Sequence, residues 1–347
     1  MTDQTALLVM NVGTSTIKYA AYAWDGALAC LLKKKCFWRP DQENFADVLD
    51  DILDQLRRHN IKPAKMVHRV VHGGHEEKHA LKYDEKVDQL IEKFSSYAPL
   101  HQPVQLQALR RMASLAPEIE QYVCVDTAFH MTIDRARKTY AIPEKFSNAG
   151  LHRYGFHGLS YQYLAGQVQR FGNYSRVVAA HLGSGVSLCA LLNGQSIDTT
   201  MGLTALAGMP MATRSGDVDP GLVISLIRQW AMSPDDVEKM LYQESGLLAL
   251  SGGLSSDMKV LLESPLEQAQ QAVDYFCWRL AQGVACMAVS LGGAEAIVFT
   301  GGVGENAPRV REKIMQSLMF MGKIPHFVLP ADEEVMMAQN VWKVAHG

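Results

Sequence analysis

Apolar residues recur along this chain in two alternating periods. Residues 41–60 place Phe45, Val48, Leu49, Ile52, Leu53 and Leu56 at the three-to-four spacing of one helical face. Short unbroken apolar runs over 66–71 and 122–125 predict buried strands, the first ending at Gly73-Gly74 and the second on Asp126. The helical period returns over 86–94 and 103–112, and Ser233-Pro234 is a helix start ahead of Val237, Met240 and Leu241. The longest helical run, 266–291, leads into a strand over 296–300. A Gly-rich loop over 301–306 then opens another helix from Pro308. Strands alternating with helices in this way predict an α/β class.

Two segments repeat one another. Residues 7–26 (LLVMNVGTSTIKYAAYAWDG) and 177–194 (VVAAHLGSGVSLCALLNG) each read as strand, small-residue turn and strand, closed by Asp-Gly or Asn-Gly. Gly13 aligns with Gly183, Asn11 with His181 and Thr14 with Ser184. A turn of Gly, Ser and Thr leaves backbone N–H groups open and adds hydroxyl donors, which suits it to a phosphate. One such turn usually only joins strands. Two in register imply a duplicated domain with two phosphate-holding hairpins facing a cleft, and so a nucleotide triphosphate.

Composition narrows the class. At 347 residues, with 48% hydrophobic and 20% charged, the chain can build two domains with large cores. A formal charge of −3, with no basic run longer than Lys33-Lys34-Lys35, argues against a nucleic-acid partner. No apolar stretch reaches the roughly 20 residues of a membrane span. The acidic-polar start is no signal peptide, so a cytoplasmic location is expected. The six scattered cysteines include no C-x-x-C pair and read as small buried residues.

Candidate chemistry clusters at predicted strand ends and loops: His68-Arg69, His72, His101, Asp126, His157, His181 and Arg214. Singly, a histidine is more often a satisfied core residue and an arginine a surface ion pair. Two hairpins, two arginines, an aspartate and several histidines together change that balance.

These segments closely resemble the acetate kinase family, the acetate- and propionate-kinase branch of the actin/Hsp70/sugar-kinase fold. Asn11-Val12-Gly13-Thr14-Ser15-Thr16-Ile17-Lys18 is similar to the family's N-x-G-S-S-S-x-K. H-R-V-V-H-G-G is complete at 68–74, A-P-L-H at 98–101, D-T-A-F-H at 126–130, R-Y-G-F-H-G at 153–158 and T-R-S-G-D at 213–217. S-G-L-L at 245–248, L-S-S-D at 254–257, G-E-N at 304–306 and Glu333-Glu334 follow in family order.

The resemblance implies a two-lobed, duplicated ribonuclease-H-like fold. The first lobe would comprise 1–126 plus 335–347, on the acyl-substrate side. The second would comprise 127–334, carrying the nucleotide and a homodimer contact. It implies reversible, Mg²⁺-dependent phosphoryl transfer between ATP and acetate (with Mn²⁺ as a substitute metal), giving acetyl phosphate and ADP. A propionate- or butyrate-type kinase and a non-catalytic nucleotide-binding homologue are the alternatives. Arg69, Arg214, Asp126 and His157 are the expected catalytic residues, since fixed cations and donors stabilise the transferring group. Asn11, Asp126 and Glu333 would organise the metal. Val71, Leu100, Phe156 and Ala205 would wall the acyl group, with Arg69 and His101 holding substrate. Lys18, His181, Gly183, Ser184, Gly185, Asp257, Lys259, Gly302, Gly304, Glu305 and Asn306 would hold the nucleotide, with Ser15 and Thr16 as lesser contacts.

Several positions depart from the family pattern. Lys259 stands where arginine is usual, Ser184 where asparagine is usual, and Ala205 where a proline is usual; G-T-S-H is partly lost, with Leu159, Ser160 and Tyr161. The chain is also shorter around 24–40 and 322–328, expected to be peripheral. The apolar run over 266–291 reads equally as a dimer contact or a core helix.

Overall fold

The computed structural model describes residues 4–13, 16–25, 27–38, 45–76 and 78–346. Thr14 and Ser15, expected in the first hairpin turn, lie outside the described residues. The chain divides into two compact units, one of residues 1–131, 158–163 and 332–347, the other of 132–157 and 164–331. Glu333 therefore belongs to the first unit.

The first unit is built on a six-stranded sheet of β1 (Gln4–Val12), β2 (Thr16–Ala23), β3 (Cys30–Phe37), β4 (Ile61–Val70), β5 (Leu81–Lys82) and β6 (Glu120–Val125), ordered β3-β2-β1-β4-β6-β5. β1 runs parallel to β4, and β4 parallel to β6, while β1–β2 and β2–β3 are antiparallel. β1 is an unbroken apolar run because both of its faces are covered. Its even positions Leu8, Met10 and Val12 pack with Leu49, Ile52 and Leu56 of helix Phe45–Arg58 and Met112 of helix Gln102–Leu115. Its odd positions Leu7 and Val9 pack with Met336, Met337 and Val341 of helix Glu333–His346. The two-residue period of a strand sorts one apolar run into two cores.

The second unit repeats that plan with β7 (Arg176–Leu182), β8 (Val186–Leu192), β9 (Gln195–Thr199), β10 (Ala296–Thr300) and β11 (His326–Val328), ordered β11-β10-β7-β8-β9. β7 is antiparallel to β8 and parallel to β10, as β1 is to β2 and β4. The sequence repeat is thus a repeat of fold. Asn193 and Gly194, with φ of 50° and 80°, form the tight turn after β8 that Asn-Gly favours. The segments expected to be shortened contain β3 and β11, each an edge strand.

Two expected elements differ. β4 begins at Ile61 rather than 66, because its polar first half pairs with β1 across an irregularity where Ala6 faces Pro63 and Leu7 faces Lys65. A proline without an N–H and one extra residue are absorbed there without breaking the pair. Residues 301–306 form a helix rather than a loop. Gly301 turns into it at φ 78°, and Glu305 Oε1 accepts the Gly301 N–H at 3.1 Å, satisfying a donor that the helix start leaves open.

Helix Glu267–Leu291 packs as a core helix, burying Val273, Phe276, Leu280, Val284 and Met287 in one stripe and leaving Tyr275, Trp278 and Val289 exposed. Three of the cysteines, Cys124, Cys189 and Cys277, are buried as expected, whereas Cys30 and Cys286 are exposed.

Gly158 shows how tightly the first unit closes over Asp126. A Cβ there would sit 1.9 Å from the Asp126 carbonyl oxygen, a fixed backbone atom. Gly158→Ala should therefore cost about 3 kcal/mol of stability, read as a lowered urea midpoint. An unchanged midpoint would contradict so close an approach.

Candidate active site

Three neighbouring strands of the first sheet end in polar residues. Asn11 lies near the end of β1, Arg69 near the end of β4, and Asp126 directly after β6. The parallel run of β1, β4 and β6 brings their carboxyl ends together, and helix Glu333–His346 begins at the same place. Arg69 Nη2 and Nε reach Asp126 Oδ2 at 2.6 and 3.1 Å, and its Nη1 reaches Glu333 Oε2 at 3.2 Å and Asn11 Oδ1 at 3.3 Å. Asn11 Nδ2 donates to Glu333 Oε2 at 2.8 Å and to Glu334 Oε1 at 3.1 Å.

Burial pushes the Asp126 carboxyl above its usual range, with Arg69 opposing and Glu333 adding to the rise. Burial also works against the Arg69 charge, but Asp126, Glu333 and Glu334 outweigh it and raise its pKa. The oxygen donors Asp126, Glu333 and Asn11 suit a hard divalent cation. No group of three or more His, Cys, Asp or Glu able to hold a metal exists among the described residues. Mg²⁺ fits such a sparse set, since it keeps waters and takes only one or two carboxylates besides phosphate oxygens.

Two glutamines that the sequence reading missed fix this end of the sheet. Gln105 Oε1 accepts the Val71 N–H at 3.0 Å while its Nε2 donates to the Val12 carbonyl at 3.2 Å. Gln102 bonds the His72 N–H and carbonyl at 2.8 and 2.9 Å. Their signal was two buried amides three residues apart on an apolar helix face. Val71 is buried and Leu100 half-buried in this unit, and His101 caps helix Gln102–Leu115. Lys18 is exposed on β2, opposite Asn11 in register.

The second unit gathers another set at the β7–β8 turn. The His157 and His181 rings stack at 4.2 Å between centroids, and His157 Nδ1 lies 2.8 Å from Ser187 Oγ. His157 holds φ at 58°, a conformation rarely kept without a purpose. A Cβ on Gly185 would lie 3.2 Å from His157 Nε2 and 3.7 Å from Arg214 Nη1, so only glycine leaves this corner open. Gly183 closes the turn on Gly185, and the Ser184 carbonyl accepts from Ala212. Arg214 Nη1 donates to the Ala205 carbonyl at 3.1 Å, and burial lowers its pKa. Phe156 and Ala205 are both buried in this unit. Ser187, also missed, was legible as a lone hydroxyl inside the apolar strand VSLCALL.

Helix Gly301–Asn306 abuts the same turn: a Cβ on Gly301 would meet the Leu182 carbonyl carbon at 2.8 Å and the Gly183 nitrogen at 3.1 Å. Gly302 has open space around it, Gly304 rests near Leu182, and Asn306 Nδ2 bonds the Gly302 carbonyl at 2.9 Å. Asp257 caps helix Met258–Glu263 by accepting the Lys259 N–H at 2.8 Å, and Lys259 is exposed.

Comparison with known proteins places the chain in a family. A family model described as the acetokinase family matches residues 33–326. An acetate kinase of Nitrobacter hamburgensis is 38% identical over 387 aligned residues, spanning 96% of this chain and 95% of its own. A propionate kinase of Yersinia enterocolitica is also 38% identical, spanning 93% and 85%. The solved propionate kinase from Francisella tularensis superposes with a TM-score of 0.90 at 29% identity, over 97% of this chain and 98% of that one. Porphyromonas gingivalis acetate kinase gives 0.86 at 28% identity, over 98% and 100%.

One histidine beside the site gives a pH signature. His68 Nε2 donates to Gln121 Oε1 at 2.8 Å while its Nδ1 is buried without a partner, so the ring is neutral. Burial holds its pKa down at about 4 against an ordinary 6.5, with the Gln121 bond opposing. As pH falls through that window the unfolded chain takes up a proton that the folded chain refuses, so stability declines. Between pH 7 and pH 5 the loss should be about 2 kcal/mol, measured by urea unfolding. It should shrink in His68→Gln, and an equal acid loss in that variant would point to another group.

Proposed function

Because the chain belongs to the acetokinase family, we propose that it transfers a phosphoryl group reversibly between ATP and acetate, giving acetyl phosphate and ADP, and that it also accepts propionate. The observation that carries this reading is Arg69, held by Asp126, Glu333 and Asn11 at the carboxyl ends of β1, β4 and β6. The substrate carboxylate is already ionised at neutral pH, so no general base is required. The chemistry then asks for positioning and charge stabilisation.

Four of the five Arg69 N–H groups are committed within the protein, which fixes the plane of the guanidinium and leaves one donor for the reacting group. Arg214 is fixed similarly by the Ala205 carbonyl, and His157 by Ser187 and the stacked His181. These three donate to the equatorial oxygens of the phosphoryl group as charge spreads over them. Gly183 closes the turn, and Ser184 and Gly185 present backbone donors to the phosphates, with Lys18 contributing from the first hairpin. Gly302, Gly304, Glu305, Asn306, Asp257 and Lys259 carry the nucleoside part. Asn11, Asp126 and Glu333 hold Mg²⁺, which when bound neutralises charge on the phosphates.

The protein works as a homodimer. The surface that supports this is in the second unit, where Leu222, Ile224 and Ile227 of helix Pro220–Gln229, together with Trp230, are exposed. So many large apolar groups in one stretch suit an interface.

Val71, Leu100, Phe156 and Ala205 are the residues assigned to the acyl group, with His101 assigned to the substrate. Ala205 is smaller than the proline it stands in for and leaves the backbone free, so its side leaves room for one more methylene. Such a methylene is worth only about 1–3 kcal/mol. Propionate should therefore be used about as well as acetate, in a coupled assay with ATP and Mg²⁺. Ala205→Pro, which keeps the carbonyl that Arg214 bonds, should move kcat/KM toward acetate. No acyl phosphate with either acid would refute the function, and an unchanged ratio would assign selectivity to another wall.

Arg69→Ala and Arg214→Ala should each lower kcat by about a hundredfold or more while the protein stays folded. Circular dichroism and steady-state kinetics check this, and near-normal turnover in either folded variant would remove that arginine from the mechanism.

A further inference from the structure

Glu334 stands beside Glu333 but has no part in the chemistry described so far. Its side chain is only 4% exposed, and its Oε1 accepts from Asn11 Nδ2 at 3.1 Å. Its other oxygen, Oε2, lies 3.2 Å from Lys33 Nζ. Lys33 stands on the edge strand β3, and its ammonium also lies 2.9 Å from Asp332 Oδ2. A buried carboxylate needs a cation or a full set of hydrogen bonds to offset its desolvation. Arg69 directs its bonds to Asp126, Glu333 and Asn11 and makes none to Glu334, so among the described residues Lys33 is the cation in ion-pair range of Glu334.

The contacts form one continuous line. Lys33 meets Glu334; Glu334 and Glu333 both accept from Asn11 Nδ2; and Asn11 Oδ1 and Glu333 both face Arg69 Nη1. Two carboxylates on its nitrogen side fix which way the Asn11 amide points. Only that orientation presents an oxygen to Arg69, since the flipped amide would set an oxygen against two carboxylates. The charge count also matters. Asp126, Glu333, Glu334 and Asp332 meet two cations, Arg69 and Lys33, and without Lys33 the excess negative charge falls on Arg69 alone. The neighbouring Lys34 is turned the other way by the strand and donates to Gln55 Oε1 at 2.9 Å.

We propose that Lys33 is a positioning residue for phosphoryl transfer, acting from the sheet edge through Glu334 and Asn11 to fix Glu333 and the Arg69 guanidinium. This rests on the function proposed above. It also gives the expected trimming around 24–40 a limit, because β3 must still deliver this lysine.

The test is a double-mutant cycle of Lys33→Met and Glu334→Gln, with Lys33→Arg as rescue and Lys34→Met as control. In Lys33→Met, kcat should fall about tenfold while KM for acetate and ATP changes less than about twofold. Lys33→Arg should recover most of the loss, and Lys34→Met should behave as the unmodified protein. Adding Lys33→Met to Glu334→Gln should cause no further loss, because the path is already broken. Unchanged kcat in Lys33→Met, a full additional loss in the Glu334→Gln background, or an equal loss in Lys34→Met would overturn the proposal. An unmodified protein that makes no acyl phosphate would instead overturn the functional reading, and this inference with it.

Discussion

A half-buried arginine set against two buried carboxylates governs the first unit. Asp126 and Glu333 are withdrawn from water and Arg69 largely so, and each would be costly there alone. Their mutual attraction offsets the desolvation only if the geometry is held closely. That requirement reaches far into the fold. It demands that β1, β4 and β6 run parallel with their ends level, that helix Glu333–His346 start where they finish, and that Gly158 let the chain pass against the Asp126 carbonyl. Apolar residues of similar volume would stabilise the unit as well or better. What the ion cluster adds is a guanidinium of fixed plane with one donor left over.

The second unit meets a related demand by different means. Its hairpin turn keeps one glycine of the first, Gly183 for Gly13, but a stacked histidine pair and a left-handed His157 stand where the first unit has its ion cluster. Gly185 leaves space beside the His157 ring, and Gly301 lets the following helix approach the turn. Duplication thus supplied one scaffold twice, and the residues at the ends of its strands diverged into an ion cluster in one unit and a donor-rich corner of histidines and Arg214 in the other.

Much of this was readable in the chain. The hairpin repeat, the small turn residues and the run of motifs marked the duplication, the strand-end polar residues and the family, because each depends on short spacing and on residue type. Glycine at 158 and 301 was visible as composition, though not the backbone contact that forbids a Cβ at each place. The Gly-rich stretch over 301–306 read as a loop because glycine disfavours helix locally. A side-chain cap from Glu305 and packing against the β7–β8 turn override that preference.

The sequence by itself determined the α/β class, the two strand-turn-strand units and the residue types available for phosphoryl chemistry, since these follow from local periodicity and chemical identity. Only the tertiary structure decided which charges meet. Lys33 and Glu334 are 301 positions apart, Asn11 and Glu333 are 322 apart, and nothing local distinguishes Lys33 from the two lysines after it. The pairing is set by sheet order and strand alternation, which bring β3, β1, β4 and the final helix into register. Burial then turns that proximity into a constraint, because a charge out of water must keep the partner that the fold provides.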